Sequence, residues 1–120
     1  MNDFLRGTGP GADLVESSLR SGVLRFTAVT AFELRLGADF LRRRRQVEAM
    51  LARRTLPLDG PAAMLAGEVY SRLERAGDRI GVQDALIAGI CRRFDLPLAT
   101  RNVRHFKRVR GLRLIDVPAQ

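Results

Sequence analysis

Cysteine, histidine and lysine are nearly absent from this 120-residue chain: Cys91, His105 and Lys107 are the only ones. A lone cysteine excludes an intrachain disulfide framework and fits a reducing cytoplasm. Cys91 shares a helical face with Asp84, Ile87 and Ala88, which reads as core packing, with a reactive thiol as the alternative. One histidine and one cysteine do not make a zinc site, and a single histidine leaves no convincing Ser/His/Asp set. No glycine-rich phosphate loop is present. No apolar run approaches the roughly 18 residues of a membrane span, and no signal-peptide pattern opens the sequence. The expectation is a cytoplasmic protein with no membrane association.

What is present is arginine. Twenty-one basic residues against thirteen acidic ones give a net charge of +8. Arginine forks match phosphate oxygens, so this balance points to nucleic acid or an acidic protein partner. A genome that encodes arginine freely, together with solvated faces, gives the same balance, and Arg42 to Arg45 are open to either reading. With 46% hydrophobic and 28% charged residues, the chain reads as one globular domain over residues 1–120.

Glycine and proline divide the chain into alternating elements. Residues 3–7 read as the end of a helix, residues 12–21 as a short amphipathic helix and residues 23–27 as a strand. A helix starts at Thr30, where Thr30-Ala31-Phe32-Glu33 matches a capping box. A second helix or an extension covers residues 38–54, with Phe40, Leu41, Val47, Met50 and Leu51 as its apolar stripe. Residues 56–58 form a short strand, and Asp59-Gly60-Pro61 opens a helix reaching Ala76. Met64, Leu65, Glu68, Val69, Arg72 and Leu73 mark its period. After a loop over residues 78–83, an apolar helix carries Asp84 at its head; residues 97–100 and 112–117 are strands, with a helical turn or loop over residues 103–109 between them. Such alternation implies a parallel sheet covered by helices on both faces.

Sites in parallel sheets form beyond the carboxyl ends of the strands. Glu33 follows the strand ending at Thr27, Asp84 heads the apolar helix and Asn102 follows the strand ending at Thr100. Two carboxylates and an amide oxygen are hard donors, suited to Mg²⁺ or Mn²⁺. Beside arginines, such a site suggests phosphodiester hydrolysis. Each acid also has a plainer reading. Asp84 serves as an N-cap, and Glu33 completes the capping box, although Val29, Leu36, Gly37 and Phe40 on its face turn it towards the interior.

Three ordered segments carry a resemblance: residues 27–37 (TAVTAFELRLG), 80–88 (IGVQDALIA) and 98–106 (LATRNVRHF). They are similar to successive motifs of PIN-domain ribonucleases, and most similar to the VapC toxins of bacterial toxin–antitoxin pairs. The resemblance covers essentially the whole chain. It implies a three-layer α/β/α sandwich with a short parallel sheet, Mg²⁺-dependent (or Mn²⁺-dependent) RNA cleavage, homodimerisation and inhibition by a VapB antitoxin. Glu33 and Asp84 match the family's second and third acidic positions, as catalytic and metal-holding residues. Asn102 stands where many members carry a fourth acid; it is a metal ligand, or a contact to RNA directly or through water. Arg101 and Arg104 flank it as further candidate contacts to RNA. The family's opening strand, with the first metal aspartate, would lie upstream of Met1, since residues 3–7 match the helix that follows it. On that reading the chain cleaves RNA weakly or folds poorly alone. The other reading is a catalytically impaired PIN-like module that binds an antitoxin or RNA without cleaving; a third is a basic nucleic-acid-binding protein whose carboxylates only cap helices.

Overall fold

A computed structural model describes residues 25–116 of the chain. The helix end expected at residues 3–7, the helix at 12–21, most of the strand at 23–27 and the last residue of the strand at 112–117 lie outside the described residues in whole or part. The described chain falls into two compact units, residues 25–56 and Pro57–Asp116.

The first unit runs β1 (Phe26–Thr27), α1 (Ala28–Leu36), α2 (Arg44–Leu51), β2 (Thr55–Leu56). β1 and β2 pair in parallel, Phe26 opposite Thr55 and Thr27 opposite Leu56. Pro57 follows directly, and without an N–H it cannot continue a ladder; the strand expected at residues 56–58 therefore sits one residue earlier. Helix α1 begins sooner than the capping-box pattern predicts. Thr27 ends β1 in an extended conformation, and its Oγ1 accepts the Thr30 backbone N–H at 3.0 Å. Thr27 is the N-cap, and Thr30 is the third helical residue, its hydroxyl 3.1 Å from that of Thr27. Two threonines spaced three apart can both start a helix, and the one leaving the strand does so.

The second expected helix is shorter than its apolar stripe. Residues 38–43 form turns and α2 starts only at Arg44. Phe40 is buried with the Arg35 and Arg44 guanidinium carbons 4.7 and 5.7 Å from its ring centroid, a favourable cation–π arrangement. Arg42 pairs with Asp39 at 2.6 Å and Arg44 with Glu48 at 2.6 Å, all of them exposed. Half of the arginine run is thus engaged in local surface pairs, which are worth little to stability.

The second unit runs α3 (Gly60–Arg75), α4 (Val82–Arg93), β3 (Leu98–Thr100), α5 (Val103–Phe106), β4 (Leu114–Asp116). β3 and β4 pair in parallel from Leu98–Leu114 to Thr100–Asp116. The Asp59 carboxylate caps α3 by accepting the Ala62 N–H at 2.9 Å, with Pro61 in the first turn, as the sequence predicts. Ala62, Ala66, Val69 and Leu73 form its buried face. Met64, expected on that stripe, is 77% exposed, because the contact with α4 is made through the small residues instead. Val69 and Leu73 join Ile80, Ala85, Ala88 and Val109 in one buried cluster.

Both long helices close alike. At the end of α3 the Asp78 N–H reaches Leu73 O and the Gly77 N–H reaches Glu74 O, with Gly77 at φ 73°; α4 repeats the pattern with Asp95 at φ 53°. This double hydrogen bond requires a left-handed residue, which costs a side chain roughly 1 kcal/mol and glycine almost nothing. Asp95→Gly is expected to stabilise the fold by about 0.5 kcal/mol, since glycine's extra freedom in the unfolded chain offsets part of the gain. A thermal melt reads this as a rise of a few degrees.

Cys91, on α4, is buried, and burial pushes its thiol from 9.0 up to about 11. Core packing is therefore its role. Native protein at mildly alkaline pH should react with a thiol reagent far more slowly than unfolded protein. The raised folded value means that the stability from the buried thiol is complete below pH 9.0 and is lost as pH rises towards about 11.

The candidate carboxylate at the head of helix α4

Asp84 is the third residue of α4, after the Gly81 cap, and no side chain caps that helix. The plainer reading of Asp84 as an N-cap is therefore not what the fold uses. The helix N-terminus still favours its negative charge. Its carboxylate turns instead to the only histidine in the chain: His105 Nε2 lies 2.9 Å from Asp84 Oδ2. Among the described residues, Asp84 Oδ1 accepts no hydrogen bond. The two side chains remain partly open, 28% exposed for His105 and 38% for Asp84.

The elements around Asp84 explain why His105 reaches it. β3 ends at Thr100, whose buried hydroxyl accepts the Asn102 backbone N–H at 2.9 Å. That turn starts α5, in which the His105 N–H bonds Asn102 O at 3.1 Å. Phe106 is buried and meets the His105 ring edge-on at 5.3 Å between centroids. One turn on, Arg108 ties the site together. Its Nε donates to His105 O at 2.8 Å and its Nη2 to His105 Nδ1 at 3.1 Å. Its Nη1 donates to Asp78 O at 2.7 Å, Asp78 Oδ1 at 2.6 Å and Arg79 O at 3.0 Å. Asp78 and Arg79 belong to the loop that leads into α4, so one guanidinium fastens α5 to the approach of the Asp84 helix.

The other expected site residues are placed as follows. Asn102 is exposed at the cap position of α5 without a side-chain capping bond. Arg101 is half-buried and has a polar or electrostatic interaction, whereas Arg104 is exposed. Glu33 lies in the first unit, on α1, half-buried. Because the cap is Thr27, Glu33 sits six residues into the helix and takes no part in a capping box. Of the residues read onto its face, Val29 and Phe40 are buried and Gly37 is half-buried, whereas Leu36 is 68% exposed. His105, Arg108 and Asp78 are the residues that sequence reasoning did not assign. The usable signal was a lone histidine in the third motif with an arginine three residues later.

Among the described residues, no group of three or more histidine, cysteine, aspartate or glutamate side chains is gathered to hold a metal ion. A partly exposed carboxylate at a helix N-terminus nevertheless fits a hard cation of the Mg²⁺ type, which keeps several waters and takes one or two carboxylates plus substrate phosphates.

A family model described as the PIN domain matches residues 3–112. The chain is 38% identical over 103 residues to Ribonuclease VapC10 of Mycobacterium tuberculosis, covering 85% of this chain and 77% of that one. It is 35% identical over 104 residues to the tRNA(fMet)-specific endonuclease VapC of Shigella flexneri, covering 82% and 79%. Among solved structures, DNA-bound VapBC from Salmonella typhimurium superposes with a TM-score of 0.77 at 26% identity, over 94% of this chain and 88% of that one. The parallel strand pairs and intervening helices of both units suit that fold. No described helix is long and apolar enough to cross a membrane. The chain belongs to the PIN-domain family, among the VapC ribonucleases.

Proposed function

We propose that this chain is an endoribonuclease toxin that cleaves RNA with a divalent cation, Mg²⁺ or Mn²⁺, and is held in check by a VapB-type antitoxin. The observation that carries the chemistry is Asp84: a partly exposed carboxylate at a helix N-terminus, excused from capping, whose Oδ1 accepts no hydrogen bond among the described residues. Glu33 supports it from the second acidic motif, since its carboxylate is likewise not used to cap its helix.

Asp84 is the candidate cation ligand of its unit, with Asn102 as a weaker ligand or as a contact to the RNA, and Glu33 is the candidate carboxylate of the other unit. When bound, a divalent cation supplies Lewis acidity to a phosphate and makes a bound water easier to deprotonate. The chain's own residues orient the carboxylate, admit the substrate and screen its charge. Arg101 and Arg104, beside Asn102, meet the phosphate backbone, and the net charge of +8 draws RNA to the surface. Membership among the VapC proteins supports antitoxin binding, and the reading includes a homodimer acting on RNA in the cytoplasm.

Induced expression in a bacterial host tests this reading. Growth should stop and new, discrete RNA 5′ ends should appear; both effects should vanish on co-expression of the small protein encoded beside the gene. Undisturbed growth with no new RNA ends, from a chain that still binds RNA or the antitoxin, would instead establish a binding module without nuclease activity.

A further inference from the structure

The hydrogen bonds around His105 have only one consistent assignment of protons. An arginine guanidinium donates and never accepts, so His105 Nδ1, 3.1 Å from Arg108 Nη2, must offer its lone pair. The ring proton therefore sits on Nε2, which donates to Asp84 Oδ2 at 2.9 Å. Neither ring nitrogen has a lone pair left for a cation or for a substrate proton. His105 is thus neither a metal ligand nor a general base in this arrangement. Its effect falls on Asp84: the Nε2–H takes one lone pair of Oδ2 and so fixes the orientation of the carboxylate.

We propose that His105 and Arg108 are positioning residues that hold the Asp84 carboxylate in one orientation, an inference that rests on the reading of Asp84 as a metal carboxylate. Arg108 selects the imidazole tautomer, and the imidazole orients the carboxylate. The device is well anchored. Arg108 is 19% exposed and its Nε and Nη1 donate to His105 O, Asp78 and Arg79 O, so it cannot swing away without giving up several bonds at once. It thereby keeps the ring and the loop before α4 in one register. Outer-shell donors of this kind orient a ligand before the metal arrives, and removing one typically costs 10- to 100-fold in affinity.

Because the chain has a single histidine, the tautomer can be read without assignment ambiguity. Long-range ¹H–¹⁵N correlation of the tag-free chain, at about pH 8 and above the ordinary histidine range, should show a protonated Nε2 and a bare Nδ1. Arg108→Lys should lose that single tautomer and show a mixture. In parallel, Mn²⁺ affinity is measured by titration calorimetry for the parent, His105→Ala, His105→Gln and Asp84→Asn, each first shown to be folded by circular dichroism. His105→Ala should weaken Mn²⁺ about tenfold or more. His105→Gln, whose side-chain amide can still donate to Oδ2, should recover most of the loss. An Nδ1–H or doubly protonated ring overturns the proposal, as does unchanged Mn²⁺ affinity in His105→Ala. If Asp84→Asn abolishes binding while His105→Ala leaves it intact, only the positioning role is lost. If Asp84→Asn leaves binding intact, Asp84 is not a ligand and the underlying reading falls with it.

Discussion

Asp84→Asn should leave the chain folded and slow RNA cleavage about a thousandfold, equivalent to roughly 4 kcal/mol of barrier. The two effects separate because the substitution is nearly isosteric. The asparagine side-chain oxygen can still accept from His105 Nε2, and Asp84 makes no capping bond that would be lost. What disappears is the negative charge. At a helix N-terminus that charge contributes about 0.3–1 kcal/mol to stability, so a melt should move by only a few degrees. For a cation ligand the loss is much larger, because an amide oxygen offers a hard cation far less than an anion does. Initial cleavage rates at fixed Mg²⁺, set beside a thermal melt of the same preparation, check both halves. A rate within tenfold of the parent would remove Asp84 from the chemistry.

The second large effect concerns the scaffold. Gly89 lies on α4 where it crosses α3, and a Cβ added there would stand 2.5 Å from Ala62 O, 2.6 Å from Ala66 Cβ and 2.7 Å from Ala66 N. Two of these atoms are backbone, so no rotamer change relieves the overlap, and the helices must move apart. Ala62 and Ala66 are themselves buried, which leaves no slack on the opposite face. Overpacking of this kind costs about 1–3 kcal/mol, occasionally more. Alanine's helix propensity returns roughly 1 kcal/mol, but separation of α3 from α4 also loosens their shared core of Val69, Leu73, Ala85 and Ala88. We expect Gly89→Ala to destabilise the chain by about 3 kcal/mol, lowering Tm by about 10 °C or more. Gly67, on the solvent side of α3 with nothing near its Cβ direction, is the control: Gly67→Ala should be neutral or mildly stabilising.

These cases show which features one sequence can carry. Local chemistry was legible: Asp59 and Pro61 announce the start of α3, the apolar run after Gly81 announces α4, and a carboxylate in its first turn stands out against its neighbours. The strand–helix alternation likewise predicts the parallel pairing found in both units. Local chemistry misled where two residues of one type competed. Thr27 and Thr30 can each cap a helix, and only the extended backbone of β1 decides for Thr27. Met64 fits a helical period but faces solvent, because helices that meet through Gly89, Ala62 and Ala66 need no large side chain there. Contacts between distant residues were not legible. Asp84 and His105 lie 21 positions apart, and Arg108 lies about thirty from Asp78 and Arg79. Nothing in the spacing announces such bonds, so the histidine that holds the key carboxylate read as an unassigned residue within a motif.

The most direct test of the central claim is cleavage of a structured RNA by the purified, tag-free chain in Mg²⁺, in EDTA, and as Asp84→Asn in Mg²⁺. A carboxylate-held cation predicts RNA cut at discrete positions only by the parent chain with the metal present. Cleavage that survives EDTA or Asp84→Asn, or salt-sensitive RNA binding with no cleavage under any condition, would contradict it.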